Sequence, residues 1–133
     1  MTLDGGDGSD SLTGGFDFDA LTGGSGADKF IFTDIKDAPV STSGIETITD
    51  FSSYSKDKII LSTIDADTTK SGNQAFSSPV NGAKFSGTFS KAGQLFFDST
   101  NHILYGNVNQ DSVADFAIQI NGVSSLVASD LML

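Results

Sequence analysis

The feature that most constrains this chain is a nine-residue period at its start. Gly5-Gly6-Asp7-Gly8-Ser9-Asp10-Ser11-Leu12-Thr13 runs without a gap into Gly14-Gly15-Phe16-Asp17-Phe18-Asp19-Ala20-Leu21-Thr22 and then Gly23-Gly24-Ser25-Gly26-Ala27-Asp28-Lys29-Phe30-Ile31. Each unit carries Gly-Gly at positions one and two, Asp at six and a bulky apolar residue at eight, namely Leu12, Leu21 and Phe30. A short fixed period means units that cannot bury an apolar face alone and must stack. Leu3 fits position eight of a preceding unit in which Met1 stands where the period asks for Asp. The chain is therefore expected to be a piece of a longer array.

Each unit has a mechanical meaning. A run such as Gly5-Gly6-Asp7-Gly8 can turn tightly and point several carbonyl oxygens to one side, and the Asp at position six adds a carboxylate. The next three residues suit a short strand whose central side chain points inward, so one unit makes half a coil. Successive strands then lie on opposite faces, turns stack on the next but one, and Leu3 and Leu21 face Leu12 and Phe30 across a thin core. Two stacked turns offer two carboxylates and several carbonyls, an all-oxygen shell of roughly six ligands that suits Ca²⁺ and not zinc or copper. A flexible Gly/Asp linker would not hold an apolar residue in phase.

Charge agrees with a cation as partner. Seventeen acidic residues against seven basic give a net charge of −10, which argues against nucleic acid or an anionic membrane surface. All the acids but Glu46 are Asp, a bias toward turns and oxygen-ligand sites. The first 28 residues hold six Asp and no Lys or Arg, so the segment should repel itself until a counter-charge binds. With no cysteine there is no disulfide scaffold, zinc finger or thiol chemistry. No apolar run is long enough to span a bilayer, so no membrane insertion is expected, and Met1-Thr2-Leu3-Asp4 lacks the basic and apolar regions of a leader. An export signal is expected elsewhere.

Beyond Lys29 the sequence becomes short apolar runs between Gly, Ser, Asn and Asp, and the expected class is all-β. Candidate strands are Lys29–Thr33, Glu46–Phe51, Lys58–Leu61, Gln94–Asp98, Ile103–Asn107, Asp115–Asn121 and Ser124–Val127. Asp65–Gly87 reads as a long loop with at most short strands near Phe76 and Phe85.

The three units resemble the RTX, or hemolysin-type, calcium-binding nonapeptide repeat. That resemblance implies a short parallel β-roll with ions held between paired turns by main-chain carbonyls and the sixth-position Asp. It implies a first site of Asp10 and Asp28 with carbonyls from Gly6, Gly8, Gly23 and Ser25. In the second unit Asp17 replaces the fourth-position Gly, at some conformational cost. A second site is expected from Gly15, Asp17 and Asp19 with Asp37 and Glu46, because no fourth nonapeptide follows to supply the stacking turn.

Downstream, Glu46-Thr47-Ile48-Thr49-Asp50-Phe51, Lys56-Asp57-Lys58-Ile59-Ile60-Leu61-Ser62, Ala92-Gly93-Gln94-Leu95, Asn107-Val108-Asn109-Gln110-Asp111 with Ala114-Asp115-Phe116-Ala117-Ile118, and the ending Ala128-Ser129-Asp130-Leu131-Met132-Leu133 resemble the C-terminal domain of serralysin-type metalloproteases. Glu46 stands where that family typically has Asp, and Ser112 where it usually has Gly. The resemblance implies one domain over 1–133, with calcium-binding repeats over 1–33 and a β-sandwich-like capping and secretion-signal region over 34–133. It further implies an extracellular protein exported by type I secretion machinery through an uncleaved C-terminal signal, with a passenger domain upstream of residue 1.

The remaining signals carry less. Asn107, Asn109, Asp111 and Asp115 are spaced like a calcium loop, but its sixth-position glycine is Ser112, and a polar hairpin turn explains them as well. His102 is the only histidine, so no two-histidine zinc site can form, and a turn role is expected. The phenylalanines are expected to fill the core, Asp50 to hydrogen-bond and Asp57 to sit in a solvated turn. No catalytic motif is present, so the chain is not expected to be an enzyme. An adhesion or polysaccharide-binding module, as in RTX adhesins or alginate epimerases, is the alternative, against which the few scattered lysines speak.

Overall fold

A computed structural model describes residues 1–133. It contains eleven short strands: β1 Thr2–Asp4, β2 Ser11–Leu12, β3 Ala20–Thr22, β4 Lys29–Ile31, β5 Glu46–Ile48, β6 Lys58–Ile60, β7 Val80–Gly82, β8 Leu95–Asp98, β9 Ile103–Gly106, β10 Phe116–Ile120 and β11 Leu131–Met132. There is no α-helix, only two single 3₁₀ turns, Ile35–Asp37 and Ala128–Asp130.

The strands form two sheets, one ordered β1-β3-β5-β10-β9-β8-β7 and the other β11-β6-β4-β2. The first six alternate between the sheets, as a coil of half-turns requires. Within each sheet their neighbours are parallel, with Leu3 beside Leu21 and Leu12 beside Phe30. The eighth-position side chains Leu12, Leu21 and Phe30 are all buried. Burying each contributes roughly 2–3 kcal/mol, which holds the roll closed from inside.

Beyond β6 the coil stops and the larger sheet continues as the antiparallel strands β8, β9 and β10. Phe51, Phe97, Leu104, Phe116 and Ile118 extend the same core. Phe30 meets Phe51 at 6.3 Å between ring centres, joining roll to cap. The all-β class, with a parallel roll running into a two-sheet region, is as the sequence indicated.

Two expectations for strands are corrected. Ser124–Val127 is not a strand; the second sheet is completed by β11, where Leu131 and Met132 pair with Ile59 and Ile60. Between Asp65 and Gly87 the one strand is β7, away from Phe76 and Phe85. Both elements are two or three residues long and are fixed by a neighbouring strand, so no alternation marks them in sequence.

Candidate metal centre

The first and third turns lie against each other. Ser25 N–H donates to the Gly6 carbonyl at 3.0 Å, and Gly8 N–H donates to the Ser25 carbonyl at 2.9 Å. The glycines are needed for this approach. Gly24 and Gly26 have φ of 87° and 120°, and a Cβ on either would collide with the carbonyl of Gly6 or Gly8. The Gly6 and Ser25 carbonyls each keep a second lone pair, and those of Gly8 and Gly23 accept no main-chain hydrogen bond.

The sixth-position carboxylates form ladders along both sides of the roll. Asp28 Oδ1 accepts the Asp10 N–H at 2.9 Å, and Asp57 Oδ1 accepts the Asp28 N–H at 2.9 Å. On the opposite side Glu46 Oε2 accepts the Asp19 N–H at 2.8 Å, while Asp19 Oδ1 lies 2.8 Å from the Met1 ammonium. Each rung thus gives one oxygen to the rung before it.

The other oxygens decide the chemistry. Five buried side-chain polar atoms in the molecule lack a hydrogen-bond partner, and four of them are Asp10 Oδ2, Asp19 Oδ2, Asp28 Oδ2 and Glu46 Oε1. In each repeat the free oxygen lies under its own first glycine: a Cβ on Gly5 would fall 2.7 Å from Asp10 Oδ2, and one on Gly14 2.5 Å from Asp19 Oδ2. A buried carboxylate oxygen without a donor costs several kcal/mol unless a cation meets it. Nowhere do three or more carboxylate, imidazole or thiol groups gather closely enough to hold an ion by themselves. A site on these turns must therefore draw on main-chain carbonyls, and the donor set present, carboxylates with peptide oxygens and no nitrogen or sulfur, fits Ca²⁺.

Electrostatics on the second ladder point the same way. Burial pushes the Glu46 carboxyl up to about 8; the Asp19 N–H bond opposes this, and the charges of Asp19 and Asp37 add to it. Asp37 is itself buried, but its Oδ2 already accepts from Thr33 N–H, Thr33 Oγ1 and Asp34 N–H. Asp17 is exposed and its φ is 73°, the left-handed conformation that its fourth position demands, beside Gly15 at 90°. Of the second expected set, the structure brings Asp19 and Glu46 into direct contact, sets Asp37 near them and leaves the Asp17 side chain in solvent.

One residue of the ladder escaped the sequence reading. Asp57 is buried rather than solvated, with Oδ2 accepting Ser52 N–H at 2.9 Å, and burial, opposed by its two N–H bonds, raises its pKa. The signal was there: Asp57-Lys58-Ile59-Ile60 repeats Asp28-Lys29-Phe30-Ile31, and the register pairs Lys29 with Lys58 and Phe30 with Ile59. The interval of 29 residues broke the nine-residue phase and hid it. Asp50 is structural, accepting from Gly23 N–H and Gly24 N–H. Asn107, Asn109 and Asp115 hydrogen-bond one another and the Val108 N–H, as a polar turn does. His102 is a turn residue with φ of 59°, its Nδ1 on the Val123 carbonyl.

Glycine turns, alternating strands and inward-facing Asp ladders define an RTX-type β-roll module. The family model described as "Peptidase M10 serralysin C terminal" matches residues 3–133, and the chain belongs to that family. The family comprises the non-catalytic C-terminal part of secreted peptidases, so the chain is not itself the enzyme. Among curated proteins no match is found. No helix is long and apolar enough to cross a membrane.

Proposed function

We propose that the chain is a calcium-dependent folding module of an extracellular protein, in which Asp10 and Asp28, with carbonyls of Gly6, Gly8, Gly23 and Ser25, hold one ion. A second ion is held at Asp19 and Glu46, with Asp37 and the Gly15–Asp17 turn beside it. The ion supplies the positive charge that these turns lack, and the chain's residues supply a cradle that exists only when the turns are stacked. Ions that bind only the folded state stabilise it by mass action. Extracellular modules bind at roughly 10⁻⁴–10⁻³ M, so the chain would stay unfolded in a calcium-poor cytosol and fold after export. Export runs through type I machinery that reads the Asp130-Leu131-Met132-Leu133 end, and the folded roll then templates a passenger upstream.

The observation that carries this reading is the set of unpartnered oxygens on Asp10, Asp19, Asp28 and Glu46. Isothermal titration of calcium into stripped protein tests it. Heat with a stoichiometry of at least one ion, together with a gain of far-UV strand signal, is expected; no heat and an unchanged spectrum would discard it.

A further inference from the structure

The acidic character of the chain is not uniform. From Thr68 to Phe97 there is no Asp or Glu, while three of the seven basic residues, Lys70, Lys84 and Lys91, fall there. The fold gathers this segment around two adjoining clefts of about 520 and 530 Å³ that share Ser77, Ser90 and Lys91. Each is of the size that small ligands occupy.

The first cleft has an aromatic shelf. Phe85 lies 4.4 Å from the Tyr105 ring centre in a stacked arrangement, 4.9 Å from Phe89 and 5.4 Å from Phe96. Six of the eleven phenylalanines are buried, but Phe85, Phe89 and Phe96, like Tyr105, are only half-buried. A side chain spent only on the core would not leave its ring at the surface beside three others. Hydroxyls of Ser77, Ser86, Thr88 and Ser90 rim the shelf.

The rim is built rather than loose. Gln94 Oε1 accepts Ser90 N–H at 2.8 Å and Lys91 N–H at 3.1 Å, and the fully buried Asn107 donates its Nδ2 to the Lys91 carbonyl at 3.1 Å. Lys91 makes no ion pair, whereas Lys70, at the far end of the second cleft, lies 3.5 Å from Asp67. Gln74 Oε1, beside that cleft, is buried without a partner.

Aromatic faces bind the C–H faces of pyranose rings, hydroxyl and amide rims bind sugar hydroxyls, and a free ammonium binds a carboxylate. We propose that this double cleft binds a carboxylated polysaccharide, with uronate rings stacked on Phe85 and Phe89 and a ring carboxylate held by Lys91. The charge on this face suits such a chain, while the carboxylate-rich roll would repel it, so binding is confined to one end of the molecule. The site is independent of the calcium reading and goes beyond it.

The test titrates hexagalacturonate into the calcium-loaded chain at low free calcium, followed by heat and by amide NMR shifts, with maltohexaose and hexaglutamate as comparators. Expected are binding to the uronate alone and shifts centred on Phe85, Phe89 and Lys91. Lys91→Gln, an exposed change, should weaken binding about fivefold and Phe89→Ala about tenfold. If Phe89→Ala fails to fold, Lys91→Gln alone decides. No binding of the uronate, equal binding of hexaglutamate, equal binding of maltohexaose, or an unchanged affinity in folded Lys91→Gln would each overturn the proposal.

Discussion

Asp28 in the roll and Asp98 in the cap are the same residue type at the same depth, exposed by 0% and 2%, and are treated in opposite ways. Asp98 is served by its own chain: Thr100 N–H and Asn101 N–H donate to Oδ1 at 3.0 Å each, and Phe85 N–H and Asn101 Nδ2 donate to Oδ2. Burial pushes its pKa up, but these donors outweigh burial and hold it below the usual carboxylate range. Asp28 receives one N–H on one oxygen and nothing on the other. A buried charge is stable when it is paired, and the cap pairs its own while the roll leaves the task to an ion.

The largest way to break this comparison is to remove calcium. At a hundredfold excess over Kd each site adds about 2.7 kcal/mol. In a chain of this length that moves the thermal transition by roughly 8–16 °C. Chelation is expected to lower the transition by at least that amount. Hydrogen exchange should localise the loss, with the amides of Asp10, Asp19 and Asp28 opening well before those of Thr100 and Asn101. Uniform opening of roll and cap would show that the two regions do not differ.

Paired substitutions sharpen it further. Asp98→Ala strands several donors at a buried turn and is expected to cost about 1–3 kcal/mol equally with and without calcium. Asp28→Ala should lower calcium affinity by at least about tenfold, yet cost little in chelator, because it removes an oxygen that had no partner. Calcium titration and urea unfolding of both variants check this, and equal calcium affinity would contradict the ligand assignment.

These contrasts also show what could be read from residues alone. The roll was legible because Leu12, Leu21 and Phe30 recur in phase with Gly-Gly and Asp, so one local rule fixes turn, strand and ladder. The pairing of the first turn with the third followed from the alternation of strands. Asp57 was hidden because its rung is supplied by a segment 29 residues on, outside the period. β7 and β11 were hidden for a related reason: they are strands only because β8 and β6 offer them an edge. The lysine-bearing cleft was invisible as well, since folding brings Lys70 and Lys91 to its walls and Tyr105 to its shelf.

A smaller effect separates the regions by pH. In chelator Glu46, with its pKa raised to about 8, holds a proton in the folded state that the unfolded chain releases near its model value of 4.5. Its contribution is therefore fully present below 4.5 and is lost as pH rises toward 8. Asp98, shifted the other way, stabilises above its unfolded value of 3.8 and is lost as pH falls below it. Metal-free protein should thus lose stability between pH 5 and pH 8, by thermal unfolding, and Glu46→Gln should flatten that slope while leaving the acid limb in place. A slope that survives in Glu46→Gln would assign it to another group.

The smallest effect concerns the one repeat that departs from the pattern. Asp17 holds φ of 73° where Gly8 and Gly26 hold 107° and 120°. Left-handed backbone costs a residue with a Cβ roughly 1–2 kcal/mol, less for Asp than for most. Glycine removes that strain but gains about 0.5–1 kcal/mol of freedom in the unfolded chain. Asp17→Gly also takes away one negative charge from a crowded acidic turn. The strain and charge terms slightly outweigh the entropy, so the variant should be more stable by a few tenths of a kcal/mol in chelator, with calcium affinity at the first site unchanged. A clear loss of calcium affinity at the second site instead would mean that the exposed Asp17 carboxylate swings in to serve the ion, and that this repeat gave up its glycine for a ligand.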